Sequence, residues 1–154
     1  MKTIEQVLLE VQDKWGLETV NAIIKKLDSY PIKWRGTLRR SIIYEVDEKQ
    51  SEVNIFMADY GEFVDKGVDG LIKKWGSPFR FRGRFAGTEY HIREWADSKG
   101  LNSWALAFKI QRDGIKPRPF FDSVVASRVP NLESDIDKAV KDYLDKTINN
   151  INNP

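Results

Sequence analysis

Ala58-Asp59-Tyr60-Gly61-Glu62-Phe63-Val64-Asp65-Lys66-Gly67 is the stretch on which the fold turns. Apolar and aromatic residues are interleaved with carboxylates, and the run stops at a glycine. That pattern predicts the end of a strand, followed by a turn at Gly67 and Gly70. Its distant partner is Ile115-Lys116-Pro117-Arg118-Pro119-Phe120-Phe121. Lys116 and Arg118 each precede a proline, which disfavours helical geometry, so this segment is expected to be extended. Pro119 suits the first turn of a following helix, where Phe120, Val124 and Val125 would be buried.

Upstream of the first stretch lie two strands. Ser41-Ile42-Ile43-Tyr44-Glu45-Val46 is β-branched and aromatic, and Glu52 to Met57 begins with strict alternation. The polar turn Asp47 to Ser51 joins them into a predicted antiparallel hairpin. Before the hairpin, Thr3 is a candidate N-cap for a helix with the stripe Ile4, Val7, Leu8, Val11 and Trp15. Leu17, Val20, Ile23, Ile24 and Leu27 repeat the helical spacing up to Tyr30-Pro31. The prediction is two short helices, or one helix kinked at Gly16. Between helix and hairpin, Pro31 to Ser41 is a basic connector, read as a short helical turn that packs Trp34 and Leu38.

Downstream, residues 71–114 form an insertion. Lys73-Lys74-Trp75-Gly76-Ser77-Pro78-Phe79-Arg80-Phe81-Arg82-Gly83-Arg84-Phe85 interleaves aromatics with arginines. If it is extended, Phe79 and Phe81 share one face and Arg80 and Arg82 the other. Two helices are expected next. The first runs from Glu89 to Lys99 with Ile92, Trp95 and Ala96 inward, and is stopped by Gly100. The second is capped by Asn102 or Ser103, carries Trp104, Leu106, Ala107, Phe108 and Ile110, and ends near Asp113-Gly114. Asn131, after Val129-Pro130, is the predicted cap of a last helix with Leu132, Ile136, Ala139, Val140, Tyr143 and Leu144 on its apolar stripe. Residues 149–154 are expected as a disordered polar tail. The fold class is therefore α+β: an antiparallel β-sheet packed by N- and C-terminal helices, with a helical and loop insertion between the last strands. Residues 1–148 are expected to form a single domain.

Bulk composition narrows the function. The chain has 154 residues, 41% hydrophobic and 31% charged, which describes an ordinary globular protein large enough for its own core. With no cysteine and one histidine, His91, disulfides, thiolate metal sites and Cys–His catalysis are excluded. A Ser–His–Asp triad has no supporting motif, and no phosphate-cradling glycine loop occurs. No cofactor is expected. No apolar run approaches a membrane span, and the early acidic residues argue against a signal peptide, so folding in the cytoplasm is expected. The net charge of +2 is unevenly spread. Residues 1–70 hold 10 basic and 13 acidic side chains, residues 71–121 hold 11 and 4, and residues 122–154 hold 4 and 6. A basic block thus sits in an acidic frame, which suggests an electrostatic face.

Three chemistries could use that face. Trp75 to Phe85 could stack bases and neutralise phosphates. The same aromatics could bury against a neighbouring subunit while the arginines meet its carboxylates, and this reading is preferred. Asp59, Glu62, Asp65 and Asp69, with Lys66, could instead hold Mg²⁺ for a nuclease.

The ordered motifs resemble a family. Gly36-Thr37-Leu38-Arg39-Arg40-Ser41 before a strand, then Ala58-x-Tyr60-x-x-Phe63-Val64-x-x-Gly67, then Pro117-Arg118-Pro119-Phe120-Phe121 opening a helix, resemble the minor tail-component and tail-completion proteins of tailed bacteriophages. The resemblance spans roughly residues 20–145. It departs from the compact pattern in the 71–114 insertion and in Asp65 before Lys66-Gly67. It implies a structural α+β virion protein without catalysis, at the head–tail joint or proximal tail. It also implies closed rings of about six or twelve copies. The implied partners are further copies of itself, neighbouring connector or tail-tube proteins, and packaged DNA by possible contact. The candidate contact residues are Lys73, Lys74, Trp75, Phe79, Arg80, Phe81, Arg82 and Arg84. Gly36, Leu38, Tyr60, Phe63, Val64, Gly67, Pro117, Arg118, Pro119 and Phe120 are the motif residues.

Overall fold

The chain is α+β, with a long helix at each end and a two-stranded antiparallel sheet. A computed structural model describes residues 2–31, 35–81, 93 and 96–152. It divides into two compact units, one of residues 1–58 with 120–154 and one of residues 59–119. The second is wider than the 71–114 insertion read from the sequence.

In the first unit, helix α1 spans Ile4–Asp28 as one element of 25 residues. Thr3 and Gln6 form a capping box that satisfies the first free N–H groups. Of the two expected forms, the pair of short helices is not seen: the helix runs continuously through Gly16. A side chain there would collide with the Tyr44 ring, so this glycine allows close approach rather than ending the helix. Trp15, Val20, Ile23 and Leu27 are buried at helical spacing. Helix α2, Arg35–Ser41, buries Leu38 completely and leaves Gly36 exposed. Trp34 lies outside the described residues.

Strands β1, Ile43–Asp47, and β2, Glu52–Phe56, pair with Ile43 opposite Phe56 and Asp47 opposite Glu52. The Asp47 carboxylate accepts the N–H groups of Lys49 and Gln50 and so fixes the turn. Tyr44, Val46, Val53 and Ile55 are half-buried on the face toward α1. The Tyr44 hydroxyl donates to Asp13 at 2.9 Å, which raises its pKa.

The C-terminal helix packs on α1. It spans Asp122–Asn152 as a single element of 31 residues with Pro130 inside it. Two expectations are corrected here. The helix does not restart at Asn131, and residues 149–152 continue it rather than forming a tail. Proline removes only one helical hydrogen bond, and the exposed Ala126 carbonyl left over can bond to water. Trp15 and Arg128 fasten the pair. The Trp15 indole donates to the Arg128 carbonyl at 2.8 Å, and the Arg128 guanidinium donates to Thr19 and Glu18 at 2.9 Å.

In the second unit, helix α3 spans Tyr60–Lys66 and helix α4 spans Ser103–Asp113. Numbered in chain order, the C-terminal helix is α5. The Asn102 side chain caps α4 by accepting from Ala105 N–H at 3.0 Å, as its sequence suggests. Gly100, with φ +65°, closes the described helical turn at 96–98. The rest of the expected 89–99 helix, with Ile92 and Trp95, lies outside the described residues. Among the described residues, no helix is long and apolar enough to cross a membrane.

Candidate functional site

Tyr60, Phe63 and Val64 stand on α3, so the strand end expected from the organising stretch is a short helix instead. The apolar positions Tyr60, Phe63, Val64 and Gly67 are spaced by three and four as well as by alternation. With only 10 residues, neither period dominates. Val64 is fully buried, as is Asp65 apart from 5% of its surface, while Phe63 faces outward.

Gly67 ends α3 with φ +71° and ψ −173°, a region essentially restricted to glycine. A Cβ there would lie 2.5 Å from the Ile115 carbonyl oxygen and 2.7 Å from Pro117. Directly after it, Val68 and Ile115 exchange both backbone hydrogen bonds at 2.8 Å in an antiparallel bridge. The Arg118 N–H then donates to the Val64 carbonyl at 3.0 Å. The two sequence motifs, separated by about fifty residues, are therefore direct partners. Between them they form the neck from which residues 71–114 leave and return. Pro119 is exposed and non-helical, so it precedes α5 without forming its first turn. Phe120 is fully buried and meets Phe121 edge to face at 6.4 Å.

Gly114 makes the neck symmetrical. It has φ +73° and ψ −168°, and its Cα abuts the Val68 carbonyl and the Gly70 N–H. Asp69-Gly70 and Asp113-Gly114 thus sit across from each other. These paired Asp-Gly steps were the sequence signal for the neck, and reading one as a turn and the other as a helix end, each by itself, missed it.

The two aspartates organise the basic arm. The Asp69 carboxylate accepts Trp75 N–H at 2.6 Å and Ser77 N–H at 3.2 Å, which holds its pKa below the usual carboxylate range. Its backbone pairs with the arm in parallel: Asp69 N–H donates to Phe79 O at 2.8 Å and Phe81 N–H to Asp69 O at 3.0 Å. Asp113 accepts from Arg112 at 2.8 Å and pairs with Lys73 at 3.6 Å. The Arg112 hydrogen bonds, then the charges of Arg112 and Lys73, pull its pKa to about 2. The arm in turn caps α4. Leu71 and Ile72 N–H donate to the carbonyls of Gln111 and Arg112 at 2.9 Å, and the Trp75 indole donates to the Asp113 carbonyl at 2.8 Å. Carbonyls that a helix end leaves orphaned are thereby satisfied. The Lys74 ammonium bonds to the Gly70 carbonyl.

Residues 73–81 are consequently part of their own unit. Phe79 packs edge to face on Phe63, with ring centres 4.8 Å apart. Phe63, Val68, Phe79, Phe81 and Ile115 line an open apolar groove of about 390 Å³, with Pro78 and Arg80 also on its wall. Arg82 and Arg84 lie outside the described residues. The acidic set proposed for Mg²⁺ is dispersed in role. Asp69 holds the arm, and Glu62 pairs with Lys66 at 2.8 Å. No three acidic or histidine side chains among the described residues converge as a metal site.

Compared with family models, curated proteins and solved structures, the chain matches none.

Proposed function

We propose that the chain is a structural component of a tailed-phage virion, placed at the head–tail joint or proximal tail. It assembles there as a ring through contacts between subunits and performs no catalysis. The observation that carries this reading is the pairing of the two motifs on which the resemblance rests. Gly67, Val68, Ile115 and Pro117 lock the YGEFVDKG and KPRPF segments together. Short motifs far apart in sequence coincide by chance more easily than they coincide and also meet in space. A ring needs each subunit to offer two different, complementary surfaces. The uneven charge of the chain is suited to that.

Electron microscopy of particles from a phage with a null allele of this gene, beside a complemented control, tests the proposal. DNA-filled heads with separate tails are expected for a joint protein, and heads lacking tails for a tail-assembly protein. Normal infectious virions from the null allele would overturn the reading.

A further inference from the structure

The groove on the second unit has an unusual rim. In the parallel bridge with Asp69, the backbone of Phe79 and Phe81 is used, so the N–H and C=O of Arg80 point to the other side. Neither of these groups is bonded among the described residues, and the exposed Arg80 guanidinium makes no ion pair there. Arg80 is the one cation among the described residues lining the groove, whereas Lys66, Lys73 and Arg112 of the same unit are each paired with a carboxylate. An open backbone edge, a free cation and an apolar floor together suit an occupant that is extended, acidic and partly apolar.

The first unit presents such an element. On the face of the hairpin turned away from α1, Ile43 and Phe56 stand directly opposite each other and are 49% and 46% exposed. The same face carries Glu45 and Glu52, exposed carboxylates with no partner among the described residues. A two-stranded sheet also has an open outer edge on each strand. Residues 45–52 hold four acidic side chains against one lysine. Both surfaces are exposed within one chain.

We infer that the groove at Arg80 receives the β1–β2 hairpin of a second copy of this chain. The Ile43–Phe56 pair fills the apolar floor, and Glu45 and Glu52 answer the basic rim. The outer edge of the hairpin can bond the free backbone of Arg80. One surface lies on each unit and the two differ, so the contact is head-to-tail and can propagate around a ring. The inference rests on the ring proposed above and names its interface.

The natural chain has no cysteine, so intermolecular trapping is direct. Full-length Asn54→Cys and Pro78→Cys variants are mixed and oxidised, with Glu133→Cys replacing Pro78→Cys as the control. The hairpin–groove pair should form its mixed disulfide about tenfold faster than the control. Arg80→Glu on the Pro78→Cys partner should remove that advantage, and Glu45→Lys on the other partner should restore it. Circular dichroism confirms that each variant is folded. A mixed disulfide no faster than the control overturns the inference. Negative-stain images of the wild type separate the two ideas. Rings without specific trapping leave the ring and remove this interface, whereas specific trapping without rings keeps the contact and removes the ring.

Discussion

Phe120 and Gly67 are the residues on which the motifs depend, for opposite reasons. Phe120 contributes bulk, and its side chain is fully buried. Phe120→Ala should lower stability by about 3–5 kcal/mol in chemical denaturation, since it removes a buried ring and leaves a cavity. A loss below about 1 kcal/mol would show that the site collapses or that the ring contributes little. Gly67 contributes the absence of bulk. Gly67→Ala should cost about 3 kcal/mol, because it combines a glycine-only backbone with a clash on Ile115 and Pro117. Gly76 is the control. It also has positive φ, +75°, but a Cβ there would meet nothing within 4 Å. Gly76→Ala should therefore cost only about 1–2 kcal/mol, the strain of the left-handed backbone alone. Equal losses at the two positions would show that backbone strain, rather than the neck contact, dominates at Gly67. The sequence marks Gly67 as a turn position and says nothing particular of Gly76. The crowding that separates the two is not legible there, because it lies in what approaches Gly67 from residue 115.

At the scale of elements, the neck and the arm form one electrostatic assembly. Asp113 stands at the C-terminal end of α4, where the helix dipole disfavours a negative charge. Arg112 and Lys73 reverse that and pull its pKa from 3.8 to about 2. A carboxylate held below its ordinary value stabilises the fold fully above that value, and the contribution is lost as pH falls through the folded pKa. Asp69 is shifted in the same direction by its bonds to the arm backbone. Stability should therefore fall between about pH 4 and pH 2. Asp113→Asn should flatten that part of the curve in urea midpoints measured against pH. An unchanged slope would place the titration on other carboxylates. The arm's partners within its own unit are not legible in the sequence, because aromatics and arginines in alternation carry no signal of what they bond to. Its backbone partners, Asp69 and the end of α4, are at least 30 residues apart from each other in the chain. The length of α5 was missed for a related reason. A proline is a strong local stop signal, but packing against α1 carries this helix through it.

At the scale of the whole molecule, charge decides which partner the basic surface meets. Lys66, Lys73 and Arg112 of the second unit, which could otherwise meet phosphates, are each already paired with one of its own carboxylates. Duplex and single-stranded DNA should therefore bind weakly at low salt, with a shallow dependence on salt concentration, when followed by fluorescence anisotropy. Tight binding that weakens steeply with salt would put nucleic acid ahead of a protein partner. A subunit that associates through Arg80 should instead show salt-sensitive self-association, since rim charges act over roughly a Debye length of about 10 Å at 0.1 M salt.

The sequence by itself determined the class of the fold, the β1–β2 hairpin and its turn, the caps of α1 and α4, and the motif positions that must be glycine or proline. These are local matters, set by side-chain periodicity, capping groups and backbone sterics within a few residues. Tertiary structure alone decided that Ala58 to Gly67 is helical at its centre, that α1 and α5 run unbroken through Gly16 and Pro130, and that the two motifs meet. It also decided that Arg80 makes no ion pair among the described residues. Each of these outcomes depends on a partner distant in the chain: the Tyr44 ring over Gly16, Ile115 against Gly67, and Asp69 beside Arg80. A contact that closes a long loop leaves no periodicity in the sequence between its ends.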